Sequence, residues 1–165
     1  MENEVFETYF DYYINKVKHL NRGEALEAGK EKVLAYVRDL DPDKLHFAYD
    51  EGKWTVSQVL LHMMDVERVM AFRALSFARG EENELPGFDH EVFALAAPTD
   101  NYSKESLMKE YSALRQSTVS MFHHLSQEQL DKTGVFGGNK LSVGEIWHMI
   151  SGHEEHHLDV LFEKY

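Results

Sequence analysis

The C-terminal stretch of the sequence constrains the fold most strongly, because it predicts a long helix with histidines on its buried face. Ser142 and Glu145 match the S-x-x-E capping box, so this helix is expected to begin near Val143. Apolar residues then recur at intervals of three and four, the pattern of a helix that packs on one face. Within that pattern, His153 and His157 occupy positions where a core helix normally places Leu or Ile.

Histidines four residues apart on a helix project from the same face, with about 5–6 Å between their Cβ atoms. This spacing lets His153 and His157 approach one metal ion. The alternative is a pair of hydrogen-bonded or surface histidines, because ten histidines in 165 residues produce such a spacing by chance. Their position in the apolar pattern favours metal binding, since burying an imidazole without a partner is costly.

A second predicted helix carries another histidine on its apolar side. Thr55 and Gln58 form a capping box, and Gly80 is typical of the position just beyond a helix end. His62 lies within the apolar stripe of this helix. Alone, such a histidine is more often a hydrogen-bonded core residue. Beside the C-terminal pair, it becomes the candidate for a third metal ligand.

The remaining helices are predicted less uniformly. Residues 3–19 are rich in aromatic side chains and predict a short helix or an extended arm over the core, followed by a turn at residues 21–23. Residues 24–40 have helical spacing, which ends because Pro42 disfavours helical geometry in the residue before it. Ser103 is the expected cap of a further helix.

Two connections matter for the topology. Residues 81–102 are too many for a typical link between neighbouring antiparallel helices, so the helices on either side could run parallel along a bundle. Asp89 and His90 lie in this link and are expected on its surface, with lining of a pocket mouth as the alternative. The glycines within residues 134–138 predict a flexible loop before the last helix.

Composition limits the class of protein. The length of 165 residues, with 43% hydrophobic and 12% aromatic residues, predicts one domain over residues 1–165 with an N-terminal arm at about residues 1–22. A formal net charge of −12 disfavours nucleic-acid and membrane partners, which need clustered Lys and Arg. There is no apolar run of about 18 residues and no signal-peptide pattern, so a cytoplasmic protein is expected.

The sequence contains no cysteine. This excludes disulfides, a cysteine nucleophile and any metal site with cysteine ligands. A reaction that uses a thiol would therefore need one supplied by a ligand. A metal site would be built from His, Asp and Glu, which suits Zn²⁺, Ni²⁺, Mn²⁺ or Fe²⁺.

Several short motifs occur in an order found in a known family. They are Gly52-Lys53-Trp54-Thr55-Val56, His62 with Glu67-Arg68 and Arg73, Leu85-Pro86-Gly87-Phe88-Asp89, and Gly152-His153-Glu154-x-His156-His157. Through these motifs the sequence from about Lys44 to Tyr165 resembles the DinB/YfiT-like family of proposed metalloenzymes. The terminal motif combined with a histidine on the second helix is the most specific part of the resemblance.

The resemblance implies an all-α fold, a four-helix bundle with a long crossover between its second and third helices (up-down-down-up). It also implies that His62, His153 and His157 hold a divalent metal, whereas His148 and His156 do not. Characterised members include thiol-dependent transferases and an isomerase that use low-molecular-weight thiols. Because relatives are often dimers, a homodimer is expected.

Three protein ligands leave an open coordination position, which is typical of a catalytic metal site. The favoured hypothesis is a transferase in which the metal activates a low-molecular-weight thiol for attack on a small electrophile. Glu67, Arg68 and Glu154 are the candidate catalytic residues, with Glu67 or Glu154 as the group that orients a ligand or transfers a proton. Arg68 or Arg73 is the candidate for binding anionic groups, and Arg73 is assigned to the cosubstrate. The alternatives are a metal-dependent hydrolase and a non-catalytic metal-binding or stress-response module. Metal affinity is expected to fall as the pH drops through about 6.5, where histidine ordinarily protonates.

Overall fold

The computed structural model describes residues 9–165 and is mostly helical. The helices are α1 (Tyr9–Val17), α2 (Arg22–Asp39), α3 (Val56–Ala78), α4 (His90–Ala96), α5 (Lys104–His123), α6 (Gln127–Asp131) and α7 (Val143–Lys164). Strands β1 (Thr133–Phe136) and β2 (Asn139–Ser142) form an antiparallel hairpin. Short 3-10 turns at Pro42–His46 and Thr99–Asn101 lie in the connections. The part of the predicted N-terminal arm before Tyr9 lies outside the described residues.

Helices α2, α3, α5 and α7 form a four-helix bundle in which α3 and α5 run parallel. Leu60 of α3 and Leu107 of α5 line the same small gap near the beginning of both helices. Further along both helices, Glu67 accepts hydrogen bonds from Arg115. Residues 79–103, which connect α3 to α5, therefore carry the chain back along the bundle.

The other two bundle helices run in the opposite direction to α3 and α5. Three contacts show these directions. Arg22 lies against Gly144, Tyr36 against Phe162, and Gly23 against His123. The first two pairs make α2 parallel to α7, and the third makes α2 antiparallel to α5. The bundle order is therefore up-down-down-up, and the predicted fold is confirmed.

Local sequence signals place the ends of the helices. In the capping boxes of α3 and α7, the backbone and side-chain hydrogen bonds expected for Thr55–Gln58 and Ser142–Glu145 are both formed. The turn predicted at residues 21–23 is wrong. Asn21 is instead the N-cap of α2, because its side chain accepts a hydrogen bond from the backbone N–H of Gly23.

The flexible loop predicted at residues 134–138 is also wrong, because these residues belong to the hairpin. Gly137 and Gly138 form its turn with φ angles of 51° and 77°, which suit the tight turns that join twisted strands. Gly134 lets β1 approach α3 closely, since a Cβ there would lie 2.1 Å from the ring of Phe77. Leu85 of the long connection pairs with the hairpin, donating its N–H to the carbonyl of Val135.

Helix α1 packs along α7 and covers one side of the bundle. Its Tyr13 and Val17 side chains are buried, and the Tyr13 carbonyl oxygen would lie 1.8 Å from a Cβ added at Gly152. The glycine therefore permits the close approach of the two helices. Among the described helices, none is both long enough and apolar enough to cross a membrane.

Candidate functional site

Three histidine side chains converge between α3 and α7. The Nε2 atom of His153 lies 3.1 Å from Nε2 of His62 and 3.1 Å from Nε2 of His157. One ring nitrogen from each histidine lies within 4.8 Å of the other two. The structure thus brings together the three residues that the sequence predicted as metal ligands. His156, by contrast, turns toward α1, where its Nδ1 atom lies 3.2 Å from the hydroxyl of Tyr12.

The spacing of these nitrogens fits a shared ion better than a set of hydrogen bonds. A neutral imidazole nitrogen has either one N–H or one lone pair in the ring plane. Nε2 of His153 can therefore form one well-directed hydrogen bond, yet it has two nitrogen neighbours at 3.1 Å. Nitrogen ligands about 2.0–2.1 Å from one zinc ion are separated by about this distance. The donor set consequently fits a divalent cation.

Burial keeps the three rings in the neutral form that binds metals. Burial and repulsion from His90 lower the pKa of His62 to about 4, and burial and neighbouring imidazoles lower the pKa of His157 to about 3. Burial also lowers the pKa of His153 well below its ordinary value. The loss of metal affinity near pH 6.5 stays a prediction. The lowered pKa values of these rings lead us to expect the loss at lower pH, because a ring that is not protonated can still bind the metal.

Aromatic side chains from two other segments pack on the cluster. The Trp54 ring lies 4.7 Å from the ring of His62, centroid to centroid, and the Tyr13 ring lies 5.1 Å edge-on from that of His153. These contacts restrict how the two imidazoles can rotate. Helix α1, through Tyr13, and Trp54, which precedes the N-cap of α3, therefore contribute to a site whose candidate ligands lie on α3 and α7.

A cavity of about 280 Å³ opens beside the cluster. Both His62 and His153 line it, and its walls are mostly apolar or aromatic side chains, namely Tyr9, Phe10, Tyr13, Val66, Met70, Phe88, Phe136 and Met149. His90 lies at the mouth with its side chain 53% exposed, 5.8 Å from the ring of His62. Asp89, predicted on the surface, is the N-cap of α4.

Arg73 is the predicted anion-binding residue that the structure does place in this cavity. Its side chain is buried, and its guanidinium lies 4.2 Å from the centre of the Phe136 ring. The Nη2 atom donates to the carbonyl oxygen of Pro86 at 2.9 Å. Arg73 therefore faces the same space as the histidines, three helical turns after His62 on α3.

The three predicted catalytic residues do not line this cavity. Glu67 and Glu154 are buried in an ion pair with Arg115, whose Nη2 atom donates to them at 2.9 and 2.5 Å. Tyr111 also donates a hydrogen bond to Glu154 at 2.6 Å, and burial raises the pKa of that glutamate. Arg68 lies on the outer face of α3. Its partners there are Asp65 and Glu110.

Sequence reasoning missed several residues that shape the site. Tyr13 comes from a segment predicted as a short helix or an extended arm, and it lies in the short helix α1. Phe136 comes from the predicted flexible loop, so no pattern in the bundle helices could place either residue at the cavity. Arg115 did have a signal, because it lies four residues after Tyr111 and three before Thr118, on a face that is buried throughout. An arginine in such a pattern indicates buried acidic partners.

The bundle order and the histidine cluster together define a helical-bundle protein with a candidate metal site. Residues 25–161 match the family model of the DinB superfamily, and the chain belongs to that superfamily. It is 32% identical over 123 residues to "Putative metal-dependent hydrolase OB0413" of Oceanobacillus iheyensis, covering 74% of this chain and 70% of that protein. It is 26% identical over 159 residues to "Putative metal-dependent hydrolase OB0782" of the same organism, covering 95% and 86%.

Solved structures share the architecture. YfiT from Bacillus subtilis, a four-helix bundle of unusual topology, superposes with a TM-score of 0.75 at 16% identity, covering 99% of this chain and 89% of YfiT. TT2238, a four-helix bundle protein, has a TM-score of 0.56 at 26% identity, covering 84% of this chain and 94% of that chain. The likeness to YfiT, at this low identity, establishes the fold alone.

Proposed function

We propose that this protein is a metal-dependent hydrolase in which His62, His153 and His157 hold a divalent cation, one of Zn²⁺, Ni²⁺, Mn²⁺ or Fe²⁺. The observation that carries the proposal is the convergence of one ring nitrogen from each histidine, with His153 3.1 Å from both of the others, beside a cavity that His62 and His153 line. The two relatives from Oceanobacillus iheyensis support it, since both are named as metal-dependent hydrolases.

The protein's own side chains prepare the site for this chemistry. A divalent cation held by His62, His153 and His157 would act as a Lewis acid and would lower the pKa of a bound water or thiol. Burial keeps the imidazoles neutral, while Trp54 and Tyr13 restrict their orientation. The apolar wall excludes water from the rest of the substrate. His90, half-exposed at the mouth beside His62, is the candidate for carrying a proton between the cavity and solvent.

A second candidate is the thiol transferase predicted from the sequence. The chain has no cysteine, so a low-molecular-weight thiol would enter as a cosubstrate and be activated in the same open position. Arg73 favours this candidate because it places a buried cation in the cavity, where it could bind an anionic group of such a thiol. The two candidates share the histidines and differ in the nucleophile.

Metal content tests the ligand assignment. The purified protein is expected to hold about one divalent ion per chain, because three preorganised imidazoles bind such ions tightly. The His157→Ala variant should lose the ion, whereas His156→Ala should keep it because His156 turns toward Tyr12. Elemental analysis after gel filtration measures both variants. Full metal content in His157→Ala would contradict the assignment.

Turnover tests distinguish the candidate functions. A hydrolase should cleave activated esters or amides in a metal-dependent way without added thiol. Consumption of a model electrophile only when both thiol and metal are present would select the transferase instead. A metal-loaded protein that does neither across a broad screen would indicate the non-catalytic metal-binding module.

A further inference from the structure

Arg73 is a buried cation for which the described part of the chain holds no acidic partner. The residue is 4% exposed, and its hydrogen-bond acceptors among residues 9–165 are the Met70 sulfur at 3.2 Å and the Pro86 carbonyl oxygen at 2.9 Å. A thioether is a weak acceptor. A guanidinium has five N–H donors, so these two contacts leave much of its capacity unused. The Phe136 ring, 4.2 Å from the guanidinium, stabilises part of the charge. Burying a cation without a carboxylate is still costly unless another group supplies the anion.

The second buried arginine of the bundle shows the contrast. Arg115 is fully buried, and both Glu67 and Glu154 accept its hydrogen bonds inside the protein. Arg115 therefore has two carboxylate partners, whereas Arg73 has none among the described residues. The difference is that Arg73 lines the cavity. A ligand that enters there can supply the missing anion.

The position of Arg73 sets the distance between this cation and the histidines. His62, Val66, Met70 and Arg73 lie on one face of α3, and all four line the cavity. Long side chains on a helix point back toward its N-terminus, and the contact of Arg73 with Met70 shows this direction. The guanidinium consequently lies roughly 10–12 Å from the level of His62 along the helix axis.

We propose that the cavity binds an elongated monocarboxylate, with its carboxylate on Arg73, an apolar body between, and its reacting group at His62 and His153. The reacting end rests on the proposed function, whereas the anion-binding end rests on the contacts of Arg73. The planar fork of a guanidinium matches a carboxylate in geometry and charge. A phosphate dianion would bring a second charge into walls that are apolar and aromatic.

Binding of a matched pair of probes tests this assignment. Isothermal titration calorimetry on the full-length, metal-loaded protein compares 3-phenylpropionate with the neutral 3-phenylpropionamide, which has the same shape. The acid should bind at least about tenfold more tightly, because a hydrogen bond to a charged group contributes more than a neutral one. Arg73→Met should bind the two probes equally. Arg79→Met, which removes an exposed cation from the end of the same helix, should retain the full preference.

Further variants separate this inference from the proposed function. Arg73→Lys keeps the charge and loses the fork, so its preference for the acid should fall several-fold; this variant decides the question if Arg73→Met does not fold. His157→Ala, which should lack metal, should retain the preference. The inference is overturned if the unmodified protein binds both probes equally, if either Arg73 variant keeps the full preference, or if His157→Ala loses it.

Discussion

At the scale of single residues, burial determines what each histidine can do. The periodicity of the last helix identified the face that carries His153 and His157, because the angular position on a helix follows directly from sequence spacing. It could not supply their protonation state, which depends on side chains packed around them from α1 and α3. The same limit applies to Glu154: the sequence pattern around Arg115 indicates buried acidic partners, but it could not show that Glu154 is one of them.

Acid should destabilise the metal-free protein partly through His62. Its pKa is about 4 in the folded protein and about 6.5 in an unfolded chain. Between these values the unfolded chain binds a proton that the folded chain does not. The stability contributed by the neutral ring is therefore fully present above pH 6.5 and is lost progressively as the pH falls toward 4.

Urea unfolding of chelator-treated protein at pH 7 and pH 5 measures this contribution. Between pH 7 and pH 5, the free energy of unfolding of His62→Leu should fall by about 2 kcal/mol less than that of the unmodified protein. The unfolded chain binds the extra proton over about 1.5 pH units, from 6.5 to 5, and each unit corresponds to about 1.4 kcal/mol. The exposed His19 provides a control, because His19→Leu should lose as much as the unmodified protein. Equal losses in all three proteins would show that His62 is not held neutral by burial.

At the scale of helices and strands, signals that lie close together in the sequence were the most reliable. The capping boxes placed the beginnings of α3 and α7 because the residues that form each box are three apart. The hairpin has a comparable signal, two glycines between short alternating runs, but the same glycines also fit a flexible loop. In α5, Arg115 and Phe122 are buried, whereas the neighbouring Leu114 and Met121 are only partly buried.

The buried ion pair that Arg115 of α5 forms with Glu67 and Glu154 should be important for stability. Arg115→Met leaves Glu67 and Glu154 buried without their cation, a loss that costs about 3–5 kcal/mol in comparable buried pairs. Replacing both glutamates by Gln in the same chain should restore much of the loss, because no uncompensated charge then remains. Urea unfolding measures each variant. An Arg115→Met protein as stable as the unmodified one would show that the pair contributes nothing.

The docking of α1 on α7 should depend on Gly152. A Cβ at this position would lie 1.8 Å from the backbone oxygen of Tyr13, so Gly152→Ala must push α1 away. Because Tyr13 and Val17 then lose burial, a loss of about 2–4 kcal/mol is expected. Hydrogen exchange should show lost protection in α1. Gly144→Ala on the same helix is the control, since its Cβ would meet only the flexible end of Arg22, at 2.8 Å.

At the scale of the whole molecule, the parallel arrangement of α3 and α5 depends on the length of their connection. The number of residues in the link indicated this arrangement before any contact was known. The sequence offered a place at a pocket mouth for His90 only as an alternative, and it did not indicate that Phe88 of the same link also lines the cavity. Long-range placement of this kind depends on packing rather than on spacing. The homodimer expected from the resemblance stays a prediction, which light scattering on the purified protein would test.

Shortening the connection should therefore prevent the monomeric bundle from forming. Helix α3 has 23 residues and is about 34 Å long, whereas a six-residue linker in place of residues 79–103 spans at most about 21 Å. Such a variant could build the bundle only by exchanging helices with a second copy, and light scattering with circular dichroism would detect a dimer or an unfolded chain.

A Gly/Ser linker of the original length reaches about 28 Å on average, so that variant should fold as a monomer. It should retain metal because the three histidines lie on α3 and α7, yet lose part of the cavity wall. A short-linker variant that is monomeric and binds metal would contradict the parallel arrangement.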